Sequence, residues 1–155
     1  MHDFAADVPI RRADANDATE IEAIVQDAYA IYVPRIGRKP APMTADYPRL
    51  IEGGDVWVAE AGEDIAGVLV VRPQKSSLFL ENVAVAPRRQ GTGVGRALIE
   101  FAEARARELG LSEVTLYTNE RMTENLRLYP SLGYRETGRR QEEGFARVFF
   151  AKRVA

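Results

Sequence analysis

The sequence contains no cysteine, and its only histidine is His2, at the start of the chain. The lack of cysteine excludes a disulfide framework, a thiolate metal site and a cysteine nucleophile. A serine–histidine triad needs an internal, oriented imidazole, and a zinc site needs several nitrogen or sulfur ligands, so neither can be assembled. We therefore expect no bound metal, and any catalysis must use carboxylates, tyrosine, lysine or backbone dipoles.

Charge and hydropathy exclude further classes of protein. The formal net charge is −2, so no basic excess favours nucleic acid or an anionic membrane as a partner. The longest apolar runs are far shorter than the ~20 residues of a membrane-spanning helix. The first residues, MHDFAADVPI, lack the basic and apolar regions of a secretory signal. The length of 155 residues predicts one domain over residues 1–155. The lack of cysteine fits a cytoplasmic location.

Apolar periodicity predicts the element order β, α, a variable segment, β-β-β, α, β, α, β-β. The three consecutive strands are joined by short turns and should pair antiparallel, and a strand–helix–strand crossover follows them. The predicted fold is therefore α/β (α+β), with a mixed sheet that is antiparallel in its N-terminal half, a central parallel β-α-β crossover and flanking helices. The predicted strands cover residues 8–12, 55–60, 65–72, 77–86, 114–118, 134–140 and 145–152.

Local signals add detail to this outline. Asp17 and Glu20 match a capping box at the start of the first helix, which Pro34 is expected to end. The near-continuous apolar run of residues 65–72 predicts a strand that is buried on both faces. In the helix after the third strand of the meander, Glu103 and Arg107 are four residues apart and are expected to pair weakly on its outer face.

The segment APRRQGTGVG, residues 86–95, joins a predicted strand to that helix. Its three glycines permit positive φ and a close approach of the backbone to a ligand. The first N–H groups of a helix have no intrahelical acceptor, and the helix dipole favours negative charge there. These features predict an anion site, most often a phosphate site, with added positive charge from Arg88, Arg89 and Arg96.

Two common nucleotide-binding motifs do not fit this segment. A P-loop has Gly-Lys-Ser/Thr after its last glycine, whereas Arg96 and Ala97 stand here. A Rossmann turn has G-x-G-x-x-G in the first β-α-β unit and an acidic residue after the next strand. Here the pattern is G-x-G-x-G, past the middle of the chain, and the next strand ends in Tyr117-Thr118. A tight strand-to-helix turn without any ligand remains an alternative interpretation.

Gln90–Gly95 matches the Q/R-x-x-G-x-G/A signature of the GNAT superfamily of N-acetyltransferases. The run LENVAVAPRRQGTGVGRALIEFA is similar to the strand–loop–helix core of that family, and LYPSLGY, residues 128–134, resembles its later LY…LGF segment. The resemblance covers roughly residues 7–152. It implies that the protein is an acyltransferase enzyme that uses acetyl-CoA as cosubstrate.

The resemblance also implies a cofactor site. The turn would bind the pyrophosphate of acetyl-CoA through the backbone N–H groups of Gln90, Gly91, Thr92, Gly93, Val94, Gly95 and Arg96. The preceding strand would diverge from its parallel neighbour and offer backbone groups to pantetheine at Val83, Ala84 and Val85, one of which would polarise the thioester carbonyl. The family often has an asparagine where this chain has Met122, and Asn125 is our candidate for that contact.

The reaction that the resemblance implies is transfer of acetyl from sulfur to an amine. We expect Glu81 to remove the proton of the amine, directly or through water, unless it is only a solvated acid or the partner of an arginine. Tyr129 would give a proton to the CoA thiolate, unless it is a packing residue. Pro130 is expected to kink or end the helix at Tyr129. The lack of cysteine and of an internal histidine argues against an acyl-enzyme. The remaining mechanism is direct attack of the amine on acetyl-CoA in a ternary complex.

In this family the segment after the first helix helps to form the acceptor site, here residues 28–48. The acceptor would be the amine of a small molecule, peptide or protein. Tyr29, Tyr32 and Tyr47 would hold it by cation–π contact, and Asp46 would hold it by its negative charge. Arg35, Arg38 and Lys39 offer the alternative of binding a substrate carboxylate. Two further hypotheses stay open, a non-catalytic CoA-binding or sensor domain and a binding module without cofactor. A homodimer is the default expectation.

Overall fold

The computed structural model describes residues 8–155, which form two compact units. The first unit contains the described residues up to Val71 together with Asn82–Phe101, and the second contains Arg72–Glu81 and Ala102–Ala155. No helix within residues 8–155 combines the length and the apolar character needed to cross a membrane.

The strands form a seven-stranded sheet in the order β1-β2-β3-β4-β5-β7-β6. The β4–β5 pair is parallel, and the β1–β2, β2–β3, β5–β7 and β6–β7 pairs are antiparallel. The predicted element order and mixed sheet are confirmed. The strands are β1 Ile10–Arg12, β2 Val56–Ala61, β3 Asp64–Pro73, β4 Ser77–Val85, β5 Glu113–Asn119, β6 Arg135–Glu142 and β7 Phe145–Arg153. The helices are α1 Ala18–Tyr29, α2 Tyr32–Ile36, α3 Tyr47–Glu52, α4 Val94–Glu108 and α5 Thr123–Ser131.

The core of the first unit is built around β3, whose residues 65–71 are all buried, as the continuous apolar run predicts. Gly67 lies in the middle of this strand. A Cβ atom built on Gly67 would stand 2.9 Å from Leu98 Cδ1, 2.9 Å from Val94 Cγ1 and 3.1 Å from the Ala84 carbonyl oxygen. The missing side chain therefore lets the first turns of α4 pack directly on the sheet.

The start of α1 differs from the prediction. The capping box expected at Asp17 and Glu20 is wrong, because the Asp17 carboxylate accepts hydrogen bonds from the Asp14 backbone N–H at 2.8 Å and from Arg11 at 2.8 and 3.0 Å. Glu20 accepts instead from the backbone N–H of Ile65 at 2.9 Å. The Asp17 carboxylate therefore caps the short turn that precedes α1 and pairs with the Arg11 guanidinium, instead of capping α1 itself.

The end of α1 also differs from the prediction. The helix stops at Tyr29, and Pro34 lies in the first turn of α2, where its missing N–H breaks no intrahelical bond. The exposed fraction of Ile31 is 56%, so the apolar stripe of α1 does not extend that far.

In the second unit, β7 lies between β5 and β6, and the β6–β7 hairpin closes through Glu143 and Gly144, both at positive φ. The weak pair expected between Glu103 and Arg107 is wrong. Glu103 is buried and accepts hydrogen bonds from the Tyr134 hydroxyl at 2.9 Å and from Lys152 Nζ at 3.1 Å. A buried carboxylate needs such compensating partners, which the second half of α4 finds on the elements packed against it.

The packing at Gly67 predicts a sharp cost for one added methyl group. We expect Gly67→Ala to lower the free energy of unfolding by about 1–3 kcal/mol, because Leu98, Val94 or the β4 backbone must shift. Urea unfolding measures the change. Gly138→Ala is the control, since a Cβ there meets nothing within 4 Å. Equal losses in the two variants would contradict the close packing of α4 on β3.

The Asp17–Arg11 contact predicts a pH-dependent contribution to stability. The hydrogen bond from Arg11 lowers the pKa of Asp17 below its usual value. The contribution is therefore present above the unfolded-state pKa of about 3.9 and is lost as the pH falls through the lower folded-state pKa. We expect Asp17→Asn to cost about 1–2 kcal/mol at pH 7 and progressively less below about pH 4 in urea unfolding.

The matched control for this prediction is Asp14→Asn. The Asp14 side chain is 65% exposed, and asparagine caps a helical turn as well as aspartate does. This control should stay close to wild type at every pH. A loss in Asp17→Asn that is constant from pH 7 to pH 3 would contradict the ion-pair account.

Candidate functional site

The glycine turn follows β4 directly and ends at the first residue of α4. Residues Pro87–Arg89 form a 3₁₀ turn, and φ is +79° at Gly91 and +91° at Gly93. The N–H of Ala97, which donates to the Gly93 carbonyl at 3.0 Å, makes the first intrahelical hydrogen bond. The N–H groups of residues 94–96 therefore have no intrahelical acceptor.

Several contacts fix this turn on the first unit. The N–H of Ala86 donates to the Ala66 carbonyl at 2.8 Å, and Arg88 pairs with Asp64 at 3.3 Å. The Thr92 hydroxyl donates to the Arg89 carbonyl. A Cβ on Gly95 would stand 3.3 Å from Val85 Cγ2, so the start of α4 also packs on the end of β4. The turn is therefore held at both of its ends.

The residues of the turn fit a phosphate-containing group. A Cβ on Gly91 would meet nothing within 4 Å, so there is open space beside its backbone. Arg89 Nε is buried and has no hydrogen-bond partner among residues 8–155. Together with the N–H groups of residues 94–96, this donor can serve an anion. Within the same residues, no cluster of three His, Cys, Asp or Glu side chains could hold a metal ion.

β4 carries Glu81 and the proposed pantetheine-binding residues one after the other. The side chain of Glu81 is 20% exposed and pairs with Arg72. Val83 and Val85 are half-buried, whereas Ala84 is buried. The parallel β4–β5 pairs include Ser77↔Glu113, Leu78↔Val114 and Phe79↔Thr115.

Tyr129 lies inside α5, which does not end or break there. The predicted end of the helix at Tyr129 is wrong, because Pro130 lies in the last turn and the helix continues to Ser131. The Tyr129 ring is buried, with its centroid 5.6 Å from that of Tyr134 in an edge-on arrangement and 5.9 Å from that of Phe150. Both ring contacts fix the orientation of Tyr129.

Asn125 and Met122 lie in the first turns of the same segment. Asn125 Nδ2 donates to the Thr118 hydroxyl oxygen at 3.1 Å. Met122 is buried, and its sulfur accepts from the Thr118 hydroxyl at 3.4 Å. The Asn125 amide is therefore oriented toward β5 through Thr118.

The four acceptor candidates occupy different positions in the first unit. The centroids of the Tyr32 and Tyr29 rings are 6.2 Å apart. The guanidinium carbon of Arg35 lies over the Tyr32 ring, 5.2 Å from its centroid. Asp46 caps α3 by accepting from the Arg49 N–H at 3.2 Å. Tyr29 and Tyr47 meet at a residue that the sequence analysis missed, Asn82 of β4.

Asn82 and Tyr117 are the side chains that sequence reasoning did not single out. Asn82 is 3% exposed, and its one signal in the sequence is an amide within the otherwise apolar run NVAVA.

The Tyr117 ring lies between Phe79 and Phe149, and the guanidinium carbon of Arg147 lies over it, 4.2 Å from the ring centroid. Burial raises the pKa of the Tyr117 hydroxyl, and Arg147 opposes this shift.

Known proteins with similar sequences indicate the family of this chain. A sequence model of the Acetyltransferase (GNAT) domain matches residues 52–136, more than half of the chain. N-acetyltransferase family 8 member 3 of Rattus norvegicus is 34% identical over 88 residues, 53% of this chain and 39% of the relative. N-acetyltransferase 8B of Homo sapiens is 33% identical over 92 residues, 56% and 40% of the two chains. The chain therefore spans about two fifths of the length of the curated relatives it matches.

Solved structures support the fold. The ribosomal-protein-S18-alanine N-acetyltransferase of Escherichia coli has a TM-score of 0.78 at 20% identity, with 96% of this chain and 94% of that chain covered. The PaiA N-acetyltransferase of Thermoplasma acidophilum, in complex with coenzyme A, has a TM-score of 0.78 at 14% identity, covering 94% and 98%. The domain match, the relatives and the shared fold confirm the resemblance predicted from residues 90–95, and the chain belongs to the GNAT acetyltransferase family.

Proposed function

We propose that this protein is an acetyl-CoA-dependent N-acetyltransferase that transfers an acetyl group to a primary amine by direct attack in a ternary complex. The observation that carries the proposal is the glycine turn between β4 and α4, with positive φ at Gly91 and Gly93 and a buried, unpartnered Arg89 Nε. The names of the relatives support the amine acceptor. The coenzyme A complex of the Thermoplasma acidophilum protein supports the cosubstrate.

The turn would bind the pyrophosphate of acetyl-CoA. The proposed donors are the backbone N–H groups of residues 90–96. The open space beside Gly91 supports this assignment because a phosphate oxygen needs close access to the backbone. The backbone of Val83–Val85 would hold pantetheine and polarise the thioester carbonyl. Asn125 would contact the same arm.

Glu81 is the proposed general base. An amine reaches the enzyme mainly as an ammonium ion and must lose a proton before its nitrogen attacks the thioester carbon. The carboxylate of Glu81 accepts a hydrogen bond from Arg72, which orients it, and its 20% exposure admits water for an indirect proton transfer. This position on β4 lies two residues before Val83, where the proposed thioester contact begins.

Tyr129 is the proposed general acid. When the carbon–sulfur bond breaks, the CoA thiolate leaves, and a proton from the Tyr129 hydroxyl would neutralise it. The edge-on contact with Tyr134 supports this role because it limits rotation of the Tyr129 ring. The acceptor amine, of a small molecule or of a peptide or protein, would lie against Tyr29, Tyr32, Asp46 and Tyr47.

One observation favours a second candidate, a non-catalytic CoA-binding or sensor domain of the same fold. Met122 is buried and packs on Thr118, so it offers no polar group to a cofactor at the position where asparagine is usual. The remaining expectations stay predictions: a single domain over residues 1–155, a cytoplasmic location, a homodimer, and no metal, nucleic-acid or membrane partner.

The cofactor site predicts the effect of a charge in the turn. We expect Gly93→Asp to weaken acetyl-CoA binding by at least about 100-fold, because the side chain blocks the backbone and its charge repels the pyrophosphate. Isothermal titration calorimetry measures the dissociation constant. Gly62→Asp is the control, since Gly62 shares the positive φ of Gly93, and a Cβ there meets none of the described residues within 4 Å. Wild-type protein that binds no acetyl-CoA, or equal weakening by both variants, would contradict the assignment.

The proposed base predicts different effects for the two partners of one ion pair. We expect Glu81→Gln to lower kcat/KM for acetyl transfer by about 100-fold or more, since the amine keeps its proton. Arg72→Gln should cost much less, because it removes the hydrogen bond and leaves the carboxylate. Release of free CoA thiol with a panel of primary amines measures both.

Acetyl-CoA affinity provides the check on this experiment. It should stay unchanged in both variants, so that the loss belongs to the chemical step. If Glu81→Gln and Arg72→Gln lose activity equally, the carboxylate serves only the ion pair, and the base lies elsewhere.

A further inference from the structure

Asn82 is the centre of a buried hydrogen-bond network in the first unit. Its Nδ2 donates to the Tyr47 hydroxyl oxygen at 2.9 Å, and its Oδ1 accepts from the Tyr29 hydroxyl at 2.5 Å. The Tyr47 hydroxyl in turn donates to the Pro42 carbonyl at 2.6 Å. The Tyr29 oxygen also lies 3.0 Å from the Val83 carbonyl.

The direction of these bonds is fixed. A tyrosine hydroxyl has one hydrogen, and that of Tyr47 goes to Pro42, so Tyr47 can only accept from Asn82. The Asn82 amide must therefore turn its nitrogen to Tyr47 and its oxygen to Tyr29. An aliphatic residue at position 82 makes neither bond, and aspartate offers no hydrogen to Tyr47.

The network joins β4 to two separate segments of the chain. Tyr29 is the last residue of α1, and Tyr47 begins α3 after the 3₁₀ turn at Ala41–Thr44. Gln26 of α1 adds a bond from its Nε2 to the Met43 carbonyl at 2.8 Å. Asn82 is 3% exposed and Tyr47 is 2% exposed, so the network lies inside the protein. The Asn82 side chain thus bonds both ends of the segment of residues 29–47 to β4, and the Val83 carbonyl adds a further contact with Tyr29.

We infer that Asn82 is a positioning residue for the acceptor amine, an inference that rests on the proposed N-acetyltransferase function. The residue before it, Glu81, is the proposed base, and the residue after it, Val83, is the proposed pantetheine contact. Through Tyr29 and Tyr47, Asn82 sets residues 29–47, the proposed acceptor segment, in register with both. Asn82 itself touches neither substrate.

Loss of a positioning residue should change acceptor binding alone, whereas loss of a purely structural residue should change acceptor binding and acetyl-CoA binding together. The cofactor turn at residues 86–96 has its own anchors at Ala66 and Asp64. Tyr29 touches the proposed cofactor site at the Val83 carbonyl, and Asn82→Leu leaves that contact in place. Loss of the network should therefore alter acceptor binding and leave acetyl-CoA binding as it is. General loosening of the fold would weaken both.

The first measurement compares wild type with Asn82→Leu, which keeps a similar volume without the amide. Backbone amide hydrogen exchange should become faster in residues 29–36 and 41–47, while the acetyl-CoA dissociation constant from calorimetry stays within about twofold. Asn119→Leu is the matched control, because Asn119 is also buried and lies outside the network. It should leave exchange in residues 41–47 unchanged.

The second measurement uses Tyr29→Phe and Tyr47→Phe, each of which removes one hydroxyl group of the network. These variants also test the inference if Asn82→Leu does not fold. Thiol release from acetyl-CoA is followed with n-butylamine and with trialanine amide as probe amines. We expect KM for the amine to rise by about tenfold in each variant, with acetyl-CoA affinity preserved.

The outcomes distinguish this inference from the proposed function. If wild type binds acetyl-CoA but exchange in residues 41–47 does not respond to Asn82→Leu or to Tyr47→Phe, the positioning role is overturned. It is also overturned if acetyl-CoA affinity and amine KM worsen together. If wild type does not bind acetyl-CoA, the proposed function fails first, and the inference falls with it.

Discussion

The close packing of α4 on β3 at Gly67 is the constraint on which the rest of the first unit depends. With 2.9 Å between a built Cβ and the nearest atoms of Leu98 and Val94, any side chain here would push the helix away from the sheet. The helix start, and with it the direction of its free N–H groups, is fixed by this contact. The glycine turn can only present an anion site if the helix begins where it does.

β4 provides the second organising principle. Along Glu81, Asn82 and Val83, successive residues carry a charged pair with Arg72, a buried amide network and a backbone carbonyl within reach of Tyr29. A strand places such groups at fixed spacings of about 3.3 Å, which suits a reaction that must align an amine, a base and a thioester. The proposed base, the positioning amide and the proposed thioester contact are therefore neighbours on one strand.

The sequence predicts the parts of this structure that depend on short-range signals. The order of the elements along the chain and the buried β3 follow from periodicity, and the glycine turn follows from residues that are adjacent in the chain. The buried Glu103 and the Asn82 network were missed because their partners are chosen by tertiary packing. The Asp17–Arg11 contact joins residues six positions apart, and it was missed because it depends on how the chain turns between β1 and α1. Tyr29 and Asn82 are 53 positions apart, and Glu103 and Lys152 are 49 apart. Pro130 was misjudged because its effect depends on its place in the last turn of α5.

The central claim is that the turn after β4 binds acetyl-CoA, and amide nuclear magnetic resonance tests it most directly. Acetyl-CoA is titrated into uniformly ¹⁵N-labelled protein, and each backbone N–H is followed separately. The account predicts saturable shifts that are largest at residues 91–96 and 83–85, since these groups are the proposed donors to the pyrophosphate and pantetheine. Shifts confined to other residues, or no saturable shift at all, would contradict it.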